Sequence, residues 1–157
     1  MNDNNLDQLY REVILDHNRS PRNAEPLEKP TIEAEGFNPI CGDKLKVELE
    51  LDDKKCIKDV SCQSCGCSIS VSSASIMGEE IRGKSVKEAR ELVEKFRAMM
   101  AGKEKMESDT GDLEALEGVK KFPVRIKCAL LAWATLAQGI DQAKSGKVDV
   151  AKTEEDL

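Results

Sequence analysis

The stretch "KLKVELEL", residues 44–51, sets Leu45, Val47, Leu49 and Leu51 in strict alternation with charged residues. Side chains of an extended chain point to opposite faces at each step. One face of this segment is therefore apolar and the other wet, as in an antiparallel sheet packed on one side. Working outward, "DDKK" at 52–55 reads as a turn and "CIKDVSC" at 56–62 as the returning strand of a hairpin. "TIEAEGF" at 31–37 reads as a first strand, and "NPICGD" lies between it and the second, with Gly42 allowing a tight turn.

Helices flank these strands. Over 3–17, Leu6, Tyr10, Val13, Ile14 and His17 share a face, and Pro21 then disfavours helix at Ser20. The segment "SVKEARELVEKFRAMM", 85–100, opens on a capping box of Ser85 and Glu88; its stripe is Val86, Ala89, Leu92, Val93, Phe96 and Met100. "PVRIKCALLAWATLAQGIDQAK", 123–144, is the longest helix, with Pro123 in its first turn. Its stripe is Ile126, Leu130, Trp133, Ala137 and Ile140, and Cys128 falls off it. Residues 101–121 are a charged connection with one short helix at 110–117. "SISVSSASIM", 68–77, is ambiguous: its β-branched residues favour strand and its small residues a tightly packed helix. The order predicts an α+β fold, a small three-stranded antiparallel sheet with helices packed on one face. A single domain is expected over 1–145, followed by a polar tail at 146–157.

Composition narrows the function. The chain has 157 residues, 34 % charged and 3 % aromatic, so its core must be aliphatic. A net charge of −6 without a basic block argues against nucleic acid and anionic membrane surfaces as partners. No apolar run is long enough for a membrane span, and the polar start "MNDNNLDQLY" is unlike a signal peptide, so a cytoplasmic protein is expected. In that setting six cysteines point to metal or thiol chemistry rather than disulfides. The one histidine, His17, excludes zinc sites that need several histidines.

Cys41, Cys67 and Cys128 each fall at or near the end of an element, so the fold has the means to gather them at one rim. With Asp43 they would form a three-sulfur, one-oxygen set suited to tetrahedral zinc. Spacing alone leaves open that Cys128 is a small core residue beside Leu130 and Trp133. The spacings of Cys62, Cys65 and Cys67 do not match those of ferredoxins.

Five segments occur in one order: "LYREVILDHNRSPRN" (9–23), "NPICGD" (38–43), "GCSIS" (66–70), "FRAMM" (96–100) and "FPVRIKCALLAW" (122–133). In these the chain resembles the U-type iron–sulfur cluster assembly proteins, the IscU/SufU/NifU N-terminal family, from about residue 5 to residue 145. It is most similar to the SufU branch. It carries an extra segment near 101–118, has Lys127 where IscU proteins have a histidine, and shows "KFPVRIK" in place of their chaperone-binding motif. An IscU-type chaperone partner is therefore not expected.

The resemblance implies a SufE/NifU-like fold and a helix starting near Cys67. It also implies metal ligands Cys41, Asp43, Cys67 and Cys128, with Cys41 accepting persulfide sulfur from a SufS-like cysteine desulfurase. In SufU-type proteins the ion is zinc, and a desulfurase histidine displaces the acceptor cysteine from it. The alternative is a scaffold on which a [2Fe–2S] cluster, or iron, is held by the same four residues and passed to apo-proteins. Either way the chain would be a sulfur acceptor or scaffold rather than a turnover enzyme by itself. A third reading, of a different class, is a purely structural zinc module. Arg125, one turn before Cys128, is an auxiliary candidate for steering the persulfide or the partner. Cys62 and Cys65 depart from the family pattern. They read as a core replacement and a loop thiol, as extra ligands favouring iron, or as a regulatory disulfide. His17 reads as structural, and Cys56 as having no site role. The N-terminal helix and the rim around Cys41 are the expected desulfurase-docking face.

Overall fold

The computed structural model describes residues 3–103 and 111–145. Helix α1 (Asp3–Arg19) leads into strands β1 (Ile32–Asn38), β2 (Asp43–Leu51) and β3 (Ile57–Cys65). Helices α2 (Ser68–Ile81) and α3 (Val86–Met100), a 3-10 segment (Gly111–Lys121) and α4 (Pro123–Ser145) complete it. The expected tail at 146–157 lies outside the described residues, as does 104–110 within the extra segment. Among the described residues no helix is long and apolar enough to cross a membrane.

The sheet is antiparallel in the order β1-β2-β3. Ile32 pairs with Leu49 and Asn38 with Asp43, while Val47 pairs with Cys62 and Lys44 with Cys65. The third strand thus runs three residues past the expected 56–62, to Cys65. Alternation decides the faces: Ile32, Ala34, Gly36 and Asn38 point into the core from β1, and Asp43, Leu45, Val47 and Leu49 from β2. The opposite face is not uniformly wet, because Glu48 is 3 % exposed. Its Oε1 accepts from the Leu27 N–H at 3.3 Å and from Gln63 Nε2 at 2.9 Å, so the loop before β1 covers this part of the sheet.

The Ser-rich run is helix α2, packed among α1, β3, α4 and the 3-10 segment. A helix enclosed on all sides has no polar stripe, which is why periodicity leaves it ambiguous. Ser70, Ser72, Ser73 and Ser75 are buried, and the last three are hydrogen-bonded to neighbouring elements. Ser72 Oγ donates to the Ile14 carbonyl at 2.7 Å, and Ser73 Oγ donates to that of Ala129 at 2.6 Å while accepting from Trp133 Nε1 at 3.0 Å. Ser75 Oγ accepts from the Arg22 N–H at 2.8 Å and meets His17 Nδ1 at 2.7 Å. His17 Nε2 lies 2.6 Å from Asp112 of the 3-10 segment, so this buried ring ties three elements together. The connection expected to hold a short helix at 110–117 forms the 3-10 segment instead, whose Leu113 and Leu116 are fully buried.

The stripe expected of α4 needs correction. Leu130 and Ile126 are only partly buried, whereas Cys128, Ala129, Leu131, Ala132, Trp133 and Leu136 are buried. The helix lies on β1 and β2 and is covered by α2 and α3, so one stripe does not describe it. Phe96 of α3 stacks on Trp133 with centroids 4.4 Å apart. The capping box of α3 forms as expected, with both reciprocal hydrogen bonds present. Close approach of α4 to the sheet depends on Gly36, where an added Cβ would run into Thr135 Oγ1, and on Gly139, where it would sit 2.9 Å from Ala34 Cβ.

Cys62 points into this core at 3 % exposure, and burial pushes its thiol up to about 12. Folding thus favours its neutral form. The stabilisation is complete below the ordinary thiol pKa and fades as pH climbs toward 12.

Two outcomes are expected. Gly36→Ala should cost about 2 kcal/mol in urea denaturation, and Thr135→Ala in the same chain should recover part of it, since the blocking atom is the Thr135 hydroxyl. With a thiol reagent at pH 8, exposed Cys65 should react at once and Cys62 only on unfolding, as read by mass mapping.

Candidate metal centre

The site lies at the turn end of the β1–β2 hairpin. Asn38 and Asp43 form its last cross-strand pair, and the four residues between them make the loop that carries Cys41. Gly42 takes φ +71°, a conformation an L side chain rarely adopts, and turns the chain back into β2. Strand parity then sends Asp43 inward, where it is 0 % exposed.

One atom of the Asp43 carboxylate is already committed. Oδ1 accepts from the Cys67 N–H at 2.8 Å, at the N-cap of α2. The approach exists because residue 66 is glycine: at φ +147° a Cβ there would collide with Asp43 Oδ1 and lie 2.9 Å from its Cα. Oδ2 is left facing the sulfurs and lies 4.0 Å from Cys67 Sγ. Cys128, in the second turn of α4, is fully buried and places its Sγ 3.1 Å from that of half-buried Cys41. The ligand atoms of Cys41, Asp43 and Cys128 all lie within 4.8 Å of one another, and Cys67 joins them through Asp43.

A carboxylate buried this deeply calls for a compensating positive charge, and one amide N–H is a partial answer. Cys41, Asp43 and Cys128 are brought together as two sulfurs and a carboxylate oxygen, while Cys67 stands outside that group, 4.0 Å from Asp43 Oδ2; with Cys67 as a fourth donor the set has the chemistry of a tetrahedral zinc site. Without a cation, burial pushes the Cys128 thiol up, and its hydrogen bonds to Cys41, Asp43 and Cys67 add to the effect. Coordination to a metal reverses this by deprotonating the thiols outright.

The remaining candidates separate by position. Arg125 is exposed in the first turn of α4, and its guanidinium is raised by a hydrogen bond to Cys128 and by the nearby thiols of Cys67, Cys128 and Cys41. Cys62 faces the core, Cys65 is exposed at the end of β3, and Cys56 lies at the far hairpin, where its N–H donates to Asp52 Oδ1 at 2.9 Å. Sequence reasoning missed Asn38. Its Nδ2 donates to Cys128 Sγ at 3.8 Å, and its Oδ1 accepts from the Ile40 N–H at 3.2 Å. The alternation Ile32, Ala34, Gly36, carried two residues further, would have placed it inside. Gly66 was also passed over as a steric requirement.

Around the thiols, Ile40, Phe122 and Val124 are each about 60 % exposed. Beside them a groove of about 300 Å³ is lined by Tyr10, Ile14, Ile69, Val119, Phe122 and Arg125, among others.

Residues 9–129 match the NifU-like N terminal domain. The chain is 45 % identical over 143 residues to the zinc-dependent sulfurtransferase SufU of Bacillus subtilis (strain 168), covering 90 % of this chain and 96 % of that protein. It is 37 % identical over 144 residues to the iron-sulfur cluster assembly scaffold protein IscU of Streptococcus pyogenes serotype M1, covering 90 % and 89 %. Among solved structures, a putative iron-sulfur cluster assembly scaffold protein for the SUF system from Fervidobacterium islandicum AW-1 superposes with TM-score 0.76 at 35 % identity, over 82 % of this chain and 94 % of that one. Sequence, fold and the gathered thiols agree: this chain belongs to the NifU-like N-terminal domain family, the U-type iron–sulfur cluster assembly proteins.

Proposed function

We propose that this protein is a zinc-dependent sulfur acceptor, cytoplasmic, that takes persulfide sulfur from a SufS-like cysteine desulfurase and passes it toward cluster assembly and apo-proteins. The observation that carries the reading is the buried Asp43 carboxylate, tied at Oδ1 and turned at Oδ2 toward the thiols. The likeness to a protein named as a zinc-dependent sulfurtransferase supports it. Cys41, Asp43, Cys67 and Cys128 are the proposed ligands. Zinc at this site would supply the positive charge that keeps the thiols as thiolates.

Cys41 is the proposed acceptor, because it sits on the β1–β2 loop, whereas Cys67 is tied through its N–H to Asp43 at the N-cap of α2 and Cys128 is buried in α4. Its thiolate attacks the outer sulfur of the donor's persulfide. A bond forms between Cys41 Sγ and that sulfur, the donor's S–S bond breaks, and the donor cysteine leaves with the electron pair as a thiolate. Arg125 stands where it can hold the incoming negative charge. The apolar rim of Ile40, Phe122 and Val124, with α1 beside it, is the proposed docking face, and no IscU-type chaperone is invoked.

The scaffold reading, with a [2Fe–2S] cluster or iron held by the same residues, draws on the IscU relative. Anaerobically purified protein decides between them. One zinc per chain and a colourless solution are expected; a brown solution absorbing in the visible establishes the scaffold instead. Gly66→Ala should leave the chain folded but lower zinc retention at least tenfold in competition with a chromophoric chelator, because the added Cβ displaces Asp43. Cys41→Ser should abolish stimulation of desulfurase turnover. If it costs only stability, the structural-module reading replaces this one.

A further inference from the structure

Cys41 and Cys128 place their sulfurs 3.1 Å apart, yet a relay needs one of them to react. We infer that Asn38 is the positioning residue that separates them, holding Cys128 as the quiet sulfur and leaving Cys41 as the nucleophile. The inference rests on the sulfur-acceptor reading above.

Asn38 ends β1 with its side chain on the core face, 1 % exposed. From there it bonds in two directions. Oδ1 accepts from the Ile40 N–H at 3.2 Å and so shapes the first half of the loop that carries Cys41. Nδ2 donates to Cys128 Sγ at 3.8 Å, joining the sheet to α4. A hydrogen bond to a thiolate stabilises its charge, and a less basic sulfur is a weaker nucleophile.

The hydrogen bond that Cys41 receives is of another kind. It comes from the Cys128 S–H, a donor that no longer exists once metal binding has removed the thiol protons. An amide N–H does not ionise, so Cys128 keeps its partner when Cys41 loses its own. The Arg125 guanidinium also favours charge on Cys128, but from the exposed side, where water screens it. Burial on a helix acts on Cys128 in the same sense as Asn38, so the test must change the amide and leave burial alone.

The experiment is limited iodoacetamide alkylation of the zinc-loaded full chain, followed by peptide mass mapping, with exposed Cys65 as internal reference. In the wild type, Cys41 should be modified well ahead of Cys128. Asn38→Ala and Asn38→Asp should each raise the Cys128 rate relative to Cys41 by roughly three- to tenfold, the effect of one hydrogen bond. Aspartate keeps an acceptor for the Ile40 N–H, so it separates the lost donor from a loosened loop, and it alone decides should the alanine variant fail to fold. In cobalt-loaded protein the thiolate-to-metal charge-transfer band should move to longer wavelength in Asn38→Asp, since the freed sulfur is the stronger electron donor. A ratio unchanged in Asn38→Asp overturns the assignment, and so does a change confined to Asn38→Ala, which would make the loop the cause. Lack of persulfide on Cys41 would sink the sulfur-acceptor reading while leaving the alkylation order intact, so the two failures are distinct.

Discussion

The hydrogen bond from the Cys67 N–H to Asp43 Oδ1 joins the hairpin to the start of α2, and the geometry of the site follows from it. It requires that β2 begin with its first side chain on the core face, that Gly66 carry no Cβ, and that α2 open at Cys67. The helix N-terminus also offers the carboxylate a favourable dipole. With one oxygen held, the other has one direction left, toward the sulfurs. A free aspartate side chain would have to give up its rotamer entropy to bind an ion, and here folding has already taken that cost.

The fourth group, Cys128, arrives by a different route. It is placed by the long packing contact of α4, which sinks onto β1 because Gly36 and Gly139 remove the side chains that would hold it off. Ser73 fixes α4 from the other side through the Ala129 carbonyl and the Trp133 indole. The Ser-rich character of α2 is therefore tied to the site. Larger side chains would push α4 away, and serines without partners would leave buried hydroxyls unsatisfied.

Much of this was legible in the residues, and the failures share one cause. Period-two alternation in 44–51 and the Ser85–Glu88 capping box are signals of half-buried elements; the capping box held, and the alternation held except at Glu48 and Leu51. Elements buried on every side carry no such contrast. The α2 run stayed ambiguous, and the stripe drawn on α4 excluded Cys128, which is fully buried. Glu48 shows the converse, a charged residue buried because a loop lies over it, and no strand periodicity reports a loop. At the site, residue type flagged the thiols and Asp43. Asn38 and Gly66 were overlooked because an amide and a glycine announce no chemistry until their neighbours are known.

The three sulfurs are unequal in ways that bear on the proposed chemistry. Cys128 sits buried in the second turn of α4, and Cys67, at the N-cap just before α2, is held by its N–H bond to Asp43. Cys41 sits on a four-residue loop between Asn38 and Asp43, beside a glycine at positive φ. Displacing a helical thiol disturbs backbone hydrogen bonds and core contacts, while displacing a loop thiol disturbs few of either. Apolar side chains exposed singly are ordinary on protein surfaces, but Ile40 directly adjoins Cys41, and Val124 is one turn before Cys128. A partner covering that rim would exclude water from the thiol on the loop while the braced sulfurs stayed in place. That is the condition under which a single sulfur can be handed over without dismantling the site.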